Sequence, residues 1–290
     1  MNIRPTLAII GGSGLYEMPG LQDTRTSDLD TPFGKPSAPI VTGILEGQPV
    51  AFLARHGIGH HIMPTEVPYR ANIYALKSLG VERVISISAC GSLREDYTPG
   101  DLVIPDQVFD FTHKRPRTFF GEGIVAHVSI AEPFCASLSE QLYRAVRATG
   151  VVTHRGGTLI TIEGPRFSTK AESYTYQSWG MSIIGMTACP EVFLAREAEM
   201  CYATMAHVTD FDVWHVSEEP VTVDMIIQTL HHNTQVAQDA IRNLVKALAE
   251  EPPQPCECAQ ALSSAIITRP DVIPAEVRQK LGLLVGKYLK

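Results

Sequence analysis

Short β-branched runs alternate along this chain with longer stretches in which apolar residues return every three or four positions, and a glycine or small polar residue follows most of the short runs. A period of two is the mark of a strand and a period near 3.6 that of a helix, so the pattern is that of an α/β protein. It predicts strands over residues 6–10, 39–45, 50–54, 83–88, 157–162, 181–186 and 202–209. Helices are predicted over 67–79, 137–149, 169–179, 190–200 and 223–250. No internal repeat of solenoid length is present. The prolines at 252, 253 and 255 interrupt the pattern, which divides the chain into a domain over 1–250 and an extension over 251–290. Two further helical patterns in that extension, 259–267 and 274–288, have apolar spacing that needs a surface to cover it, either the domain or a neighbouring subunit.

Composition narrows the picture without changing it. With 290 residues, 44% hydrophobic and 19% charged, the chain can bury a full core unaided by metal or disulfide staples. A formal net charge of −7 argues against a nucleic-acid partner, because a phosphate backbone is bound by clustered Lys and Arg. No run approaches the roughly 18 apolar residues of a membrane span, and the apolar stretch near the start is too short for a signal-peptide core. A cytoplasmic location with no membrane partner is expected. Of six cysteines, those at 90, 135, 189 and 201 lie in apolar segments and read as reduced, buried thiols. Cys256 and Cys258 sit in a proline-rich stretch and read as a redox pair or a clip for the tail. A lone Cys-x-Cys lacks the second pair that a structural zinc site requires, so no metal is expected.

Candidate chemistry gathers at the ends of predicted strands. Gly11-Gly12-Ser13-Gly14 offers backbone N–H groups and a hydroxyl to an oxyanion, although Glu17 replaces the last glycine of a dinucleotide fingerprint. Arg55-His56-Gly57-Ile58-Gly59-His60 adds a guanidinium fork and an imidazole between glycines that admit a ligand to the main chain. Ser88-Ala89-Cys90-Gly91-Ser92 and Gly185-Met186-Thr187 contribute small polar donors. Ligands of α/β sheets sit beyond the carboxyl ends of strands, so Ser13, Arg55, His56, Ser88 and Thr187 would form a phosphate cage if these loops converge. The plainer readings are a structural turn, a surface ion pair and a core histidine. After the last apolar strand, Asp210 and Asp212 fall on the same side of an extended segment. Such a pair can keep one carboxyl protonated at neutral pH; metal ligation and a capped loop are the competing readings.

The stretches GGSGLY, RHGIGHHIMP with VPYRANIYALKSLG behind it, SACGSL, PGDLVIPDQVFDFT, AEPFC, TIEGPRFSTKAES, GMTACPEVFLAREAEMCYA and VTDFDVW follow one another from residue 11 to about 230. In this order they resemble the trimeric purine nucleoside phosphorylase family, most closely its S-methyl-5'-thioadenosine phosphorylase branch. The resemblance implies a single α/β domain with a mixed, partly closed sheet flanked by helices. It implies phosphorolysis of an N-glycosidic bond, giving adenine and 5-methylthioribose 1-phosphate, a step of purine and methionine salvage. Inorganic phosphate would be the co-substrate, with no organic cofactor and no metal. The alternative within the family is a broader purine nucleoside or methylthioinosine phosphorylase. From other classes, a nucleosidase using water and a non-catalytic nucleoside binder remain as rivals.

By the same resemblance, the phosphate pocket falls at Ser13, Arg55, His56, Ser88, Ala89 and Thr187, with Ala89 offering only its backbone. The base is met by Phe167, Ser168, Met186, Asp210 and Asp212. Asp210 is assigned as the acid at purine N7, while Asp212 contacts N6 or holds the proton on its neighbour; the two roles are exchangeable. Val223, Ile226 and Ile227 form an apolar wall suited to a methylthio group, though their helical spacing also fits core packing. His127 and an apolar residue near Leu283 or Leu284 would complete the 5' pocket of a neighbouring subunit in a homotrimer.

Overall fold

The computed structural model describes residues 4–12, 18–215, 223–251 and 254–289, the side chains of 223–233 excepted. The first half of the chain runs β1 (Leu7–Gly11), β2 (Gln22–Ser27), β3 (Ile40–Leu45), β4 (Gln48–Ala54), α1 (Tyr69–Ser78), β5 (Arg83–Ser92), β6 (Leu102–Ile104), β7 (Gln107–Phe111) and α2 (Ala136–Arg147). The second half runs β8 (Thr153–Arg155), β9 (Thr158–Ile162), α3 (Lys170–Ser178), β10 (Ile183–Gly185), α4 (Ala188–Glu197), β11 (Cys201–Asp210), α5 (Val223–Glu250), α6 (Ala275–Lys280) and α7 (Gly282–Val285). The described strands form one mixed, 11-stranded sheet in the order β2-β3-β4-β1-β5-β10-β9-β7, and β11 lies on the remaining edge of β5 and leads to β6 and β8. Strand β5 has three partners, β1, β10 and β11, so the sheet branches there.

Strand β1, Leu-Ala-Ile-Ile-Gly, is buried on both faces, as parallel strands under helices on each side must be. Alternation divides it. Leu7 and Ile9 join Phe52, Leu142 of α2 and Leu244 of α5 in one layer of core. Ala8 and Ile10 join Leu53, Ile73 of α1 and Leu194 of α4 in the other, and this second layer also takes in Leu262, Val277, Leu281 and Leu284 from the extension.

The five helices predicted between residues 67 and 250, and every predicted strand but one, match the structure to within about three residues; β5 runs on to Ser92. Four strands escaped the pattern for a physical reason. Strand β2, Gln-Asp-Thr-Arg-Thr-Ser, is an exposed edge with no apolar alternation, β6 and β8 have three residues each, and β7 is only half-buried. The helix predicted over 259–267 is absent as such: a 3-10 turn over Glu257–Gln260 continues as hydrogen-bonded turns through Ala265, after which Ile266 bridges Ala126. The pattern over 274–288 resolves into α6 and α7. Segments this short do not hold a helix alone, and the anchoring of Leu262 and Ala265 on the domain decides their path.

The extra length of β5 makes the site. Along one edge β5 pairs with β1 only as far as Ser86, and β10 takes up that edge at Gly91. Between them, residues 87–90 keep β11 on the far edge and face a gap on this one. Arg55, one residue beyond β4, reaches into the gap and donates Nη1 to the Ile87 carbonyl at 3.0 Å. Its Nε and Nη2 each meet a Glu191 carboxylate oxygen at 2.9 Å, and Nη2 also reaches Ser86 Oγ at 2.6 Å. Tyr202 of β11 donates its hydroxyl to Glu191 at 2.8 Å. One ion pair, 1% exposed at Arg55 and fully buried at Glu191, therefore joins β4, β5, β11 and α4 at the ends from which the site loops leave.

Removing one partner of a buried ion pair leaves the other charge uncompensated, at a typical cost of about 3–5 kcal/mol. Glu191→Ala is expected to lose that much in denaturant unfolding. An Arg55→Met/Glu191→Leu double variant, which buries no charge, is expected to recover most of it.

Candidate active site

Arg55 is placed differently from the free anion fork that its position in the sequence suggests. Four of its five N–H donors have acceptors in Glu191, Ser86 and Ile87, leaving one Nη1 hydrogen for a ligand among the described residues. The guanidinium is a structural centre beneath the gap. Ser88 lies two residues beyond Ser86 on the same strand, so its hydroxyl falls on the face of the sheet that Arg55 occupies. By the same alternation the N–H of Ala89 points, like the carbonyl of Ile87, into the unpaired edge.

His56 follows Arg55. Its Nδ1 lies 2.8 Å from the Ile62 carbonyl and must donate there, which leaves Nε2 as an acceptor on a neutral ring. Burial, with the neighbouring Arg55 charge, pushes its pKa down to about 4. The imidazole thus offers Nε2 to a ligand as a hydrogen-bond acceptor. His60 stacks on it at 4.3 Å. Gly57, at φ +73°, allows the turn, since a Cβ there would lie 2.3 Å from the His61 ring.

Across the gap, β10 ends at Gly185 and delivers Met186 and Thr187 to the start of α4, the helix that carries Glu191. Arg115 fixes this connection, donating Nη1 to the carbonyls of Met186 at 2.6 Å and Cys189 at 2.7 Å. Thr187 is buried, and its hydroxyl makes no capping bond to α4.

The two aspartates stand at the end of β11, where Asp210 pairs with Gly91 across a bulge. A Cβ on Gly91 would come within 2.9 Å of Asp210 Oδ1 and 3.2 Å of Asp212 Cβ, so the absence of a side chain lets β5 pass directly under both acids. Asp210 accepts the Thr209 hydroxyl at 2.7 Å and the Asp212 N–H at 2.8 Å. Burial still raises its pKa above the usual carboxylate value. Asp212 accepts the Ser173 hydroxyl of α3 at 2.5 Å, and burial, reinforced by the Asp210 charge, pushes it up to about 6. Helix α3 opens with a capping box of Thr169 and Glu172, and immediately before it lie Phe167, 40% exposed, and Ser168. The Ser168 hydroxyl is buried without a partner among the described residues. A buried hydroxyl left unpaired costs about 1–3 kcal/mol.

The structure thus brings Arg55, His56, Ser88, Ala89, Thr187, Asp210 and Asp212 to one end of the sheet, with Ser168 on the approach to the helix that holds Asp212. His127 is elsewhere within the chain: it lines a cleft of about 550 Å³ with Ile124, Val128, Phe193 and Glu197. Ser13 and the side chains of Val223, Ile226 and Ile227 lie outside the described residues. Sequence reasoning missed Glu191, Ser173 and Arg115. For Glu191 a signal existed, since an acid inside the apolar run Cys-Pro-Glu-Val-Phe-Leu must find a cation. Ser173 and Arg115 sit in polar stretches with nothing to distinguish them.

A family model described as the phosphorylase superfamily matches residues 6–250. The S-methyl-5'-thioadenosine phosphorylase of Geobacter sulfurreducens is 54% identical over 284 residues, covering 98% of this chain and 99% of that one. Among solved structures, a methylthioadenosine phosphorylase from an antarctic soil metagenomic library superposes with a TM-score of 0.93 at 48% identity, covering 97% of this chain and 99% of the other. The methylthioadenosine phosphorylase from Schistosoma mansoni in complex with adenine gives 0.82 at 34% identity, covering 97% and 98%. With a match over all but the edges of the domain and full-length identity above one half, this chain belongs to the phosphorylase superfamily.

Proposed function

We propose that the chain transfers the 5-methylthioribosyl group of S-methyl-5'-thioadenosine to inorganic phosphate, releasing adenine and forming 5-methylthioribose 1-phosphate. The observation that carries this reading is the pair of buried aspartates, both with pKa raised by burial, beside an unpaired strand edge. As the glycosidic bond stretches, the ribosyl carbon becomes cationic and the purine becomes an anion, so the catalyst must neutralise the base and set a nucleophile beneath the sugar. A protonated Asp210 donates to N7, and an oxygen of the pair accepts from the N6 amino group. Asp212 holds the shared proton against solvent, with Ser173 fixing its orientation. Ser168 and Phe167 flank the base.

Phosphate is received at the gap in β5 by the Ala89 N–H, the hydroxyls of Ser88 and Thr187, and the remaining Arg55 hydrogen; Ser13, outside the described residues, would add a further hydroxyl by the family resemblance. Because Glu191 neutralises most of the Arg55 charge, hydrogen-bond donors carry the affinity more than net charge does. The neutral His56 accepts the O–H of a hydrogenphosphate through Nε2, which turns the proton-free oxygens toward the sugar. The chemistry calls for no organic cofactor and no metal in the reacting site. The reading extends to a cytoplasmic homotrimer. Val125, Ile267 and Leu283 are exposed beside the His127 cleft or on the extension, while Leu284 is buried in its own chain, so Leu283 is the residue available to a neighbour. Val223, Ile226 and Ile227 would wall the methylthio group.

Three outcomes test the reading. Release of adenine should require phosphate, and methylthioadenosine and adenosine should be cleaved in preference to inosine and methylthioinosine. Free methylthioribose in phosphate-free buffer would indicate a nucleosidase instead, and a preference for 6-oxopurines would indicate the broader nucleoside activity. Asp210→Asn is expected to lower turnover about 10²- to 10⁴-fold, the usual worth of a positioned acid; a loss under tenfold removes Asp210 from the role. The last outcome concerns stability. Because the folded Asp212 keeps a proton that the unfolded chain has already lost, its carboxylate costs nothing below about pH 4, and the cost is complete above about pH 6. Asp212→Asn should therefore stabilise the unliganded protein by up to about 3 kcal/mol above pH 6 and give no gain below pH 4, read by thermal unfolding across that range.

A further inference from the structure

Four cysteines from three separate parts of the chain meet where the extension leaves the domain. Cys135 precedes α2, Cys201 opens β11, and Cys256 and Cys258 lie between α5 and the tail. Their Sγ atoms all lie within 4.8 Å of one another, with Cys201 and Cys256 at 3.4 Å. Bonds of about 2.3 Å from four thiolates to a tetrahedral zinc place the sulfurs about 3.8 Å apart. A disulfide needs about 2.05 Å, and all four thiols are free. The second pair that Cys-x-Cys lacks in the sequence is supplied by the fold.

The surroundings suit a metal–thiolate centre. The Cys135 N–H bonds the Tyr202 carbonyl at 2.8 Å, which holds one ligand beside the strand that carries another before the linker arrives. Cys135 and Cys258 are buried, Cys201 is half-buried and Cys256 is exposed, which provides an entry path on one side only. Arg196 Nη1 donates to Cys258 Sγ at 3.3 Å, while its Nη2 is fixed on the Glu132 carbonyl. A zinc with four thiolates carries two net negative charges. Arg196 and the N-terminal end of α2, where Cys135 is the capping residue, offset them.

We propose that Cys135, Cys201, Cys256 and Cys258 bind one Zn²⁺ in a closed tetrahedral site that staples the extension to the domain. Binding converts four thiols to thiolates and releases four protons, with no change of oxidation state. With every position filled by sulfur the ion has no room for water, so its role is structural. The extension it secures delivers Leu262 and Ala265 to the core and bridges Ile266 to Ala126, next to His127.

The test is elemental analysis of the full-length protein, purified under reducing conditions from zinc-supplemented cells. About one zinc per chain is expected, falling to near zero in Cys258→Ser. Cobalt(II) exchanged into the wild-type protein should give the intense visible bands and thiolate charge-transfer absorption of a tetrahedral sulfur site, a readout that does not depend on any variant folding. A strong chelator should lower the wild-type melting temperature and leave that of Cys256→Ser unchanged. Reduced protein without zinc and without those cobalt bands overturns the proposal. So does an intact mass that shows Cys135–Cys201 or Cys256–Cys258 oxidised in place of bound metal.

Discussion

A guanidinium sealed from water has to find its carboxylate, and the fold is arranged around that demand. Arg55 and Glu191 are separated by more than a hundred residues, and their contact fixes where β4 stops, where α4 begins and how closely β11 approaches. Breaking it costs several kcal/mol, a large part of the net stability of an ordinary domain. The loops around it can be irregular because this joint is not.

On that frame the two halves of the site divide the electrostatic work. On the proposed purine side, burial makes a carboxylate expensive and raises the pKa of both aspartates. On the proposed phosphate side, the positive charge nearest the gap is already neutralised by Glu191, which would leave binding to oriented hydrogen-bond donors. His56, neutral and tied to Ile62, fits an anion that brings its own proton.

Much of this was legible in the sequence because it is written in short-range chemistry. Glycines and hydroxyls at strand ends, the Asp210 and Asp212 spacing and the apolar runs of β1, β5 and β11 identify the elements and the end of the sheet where the site lies. What was not legible depends on contacts between distant segments. Nothing near Arg55 announces Glu191, nothing near Asp212 announces Ser173, and Cys256-Glu257-Cys258 appears unaccompanied until Cys135 and Cys201 are folded beside it. The edge strand β2 and the three-residue strands were missed because they bury too little to leave a pattern.

The interrupted edge of β5 carries an evolutionary consequence. Part of the proposed anion floor is main chain, and no substitution other than one to proline deletes an amide N–H. Side chains around the base and the 5' group are therefore free to drift and retune which nucleoside is accepted, while the co-substrate position is inherited with the backbone itself.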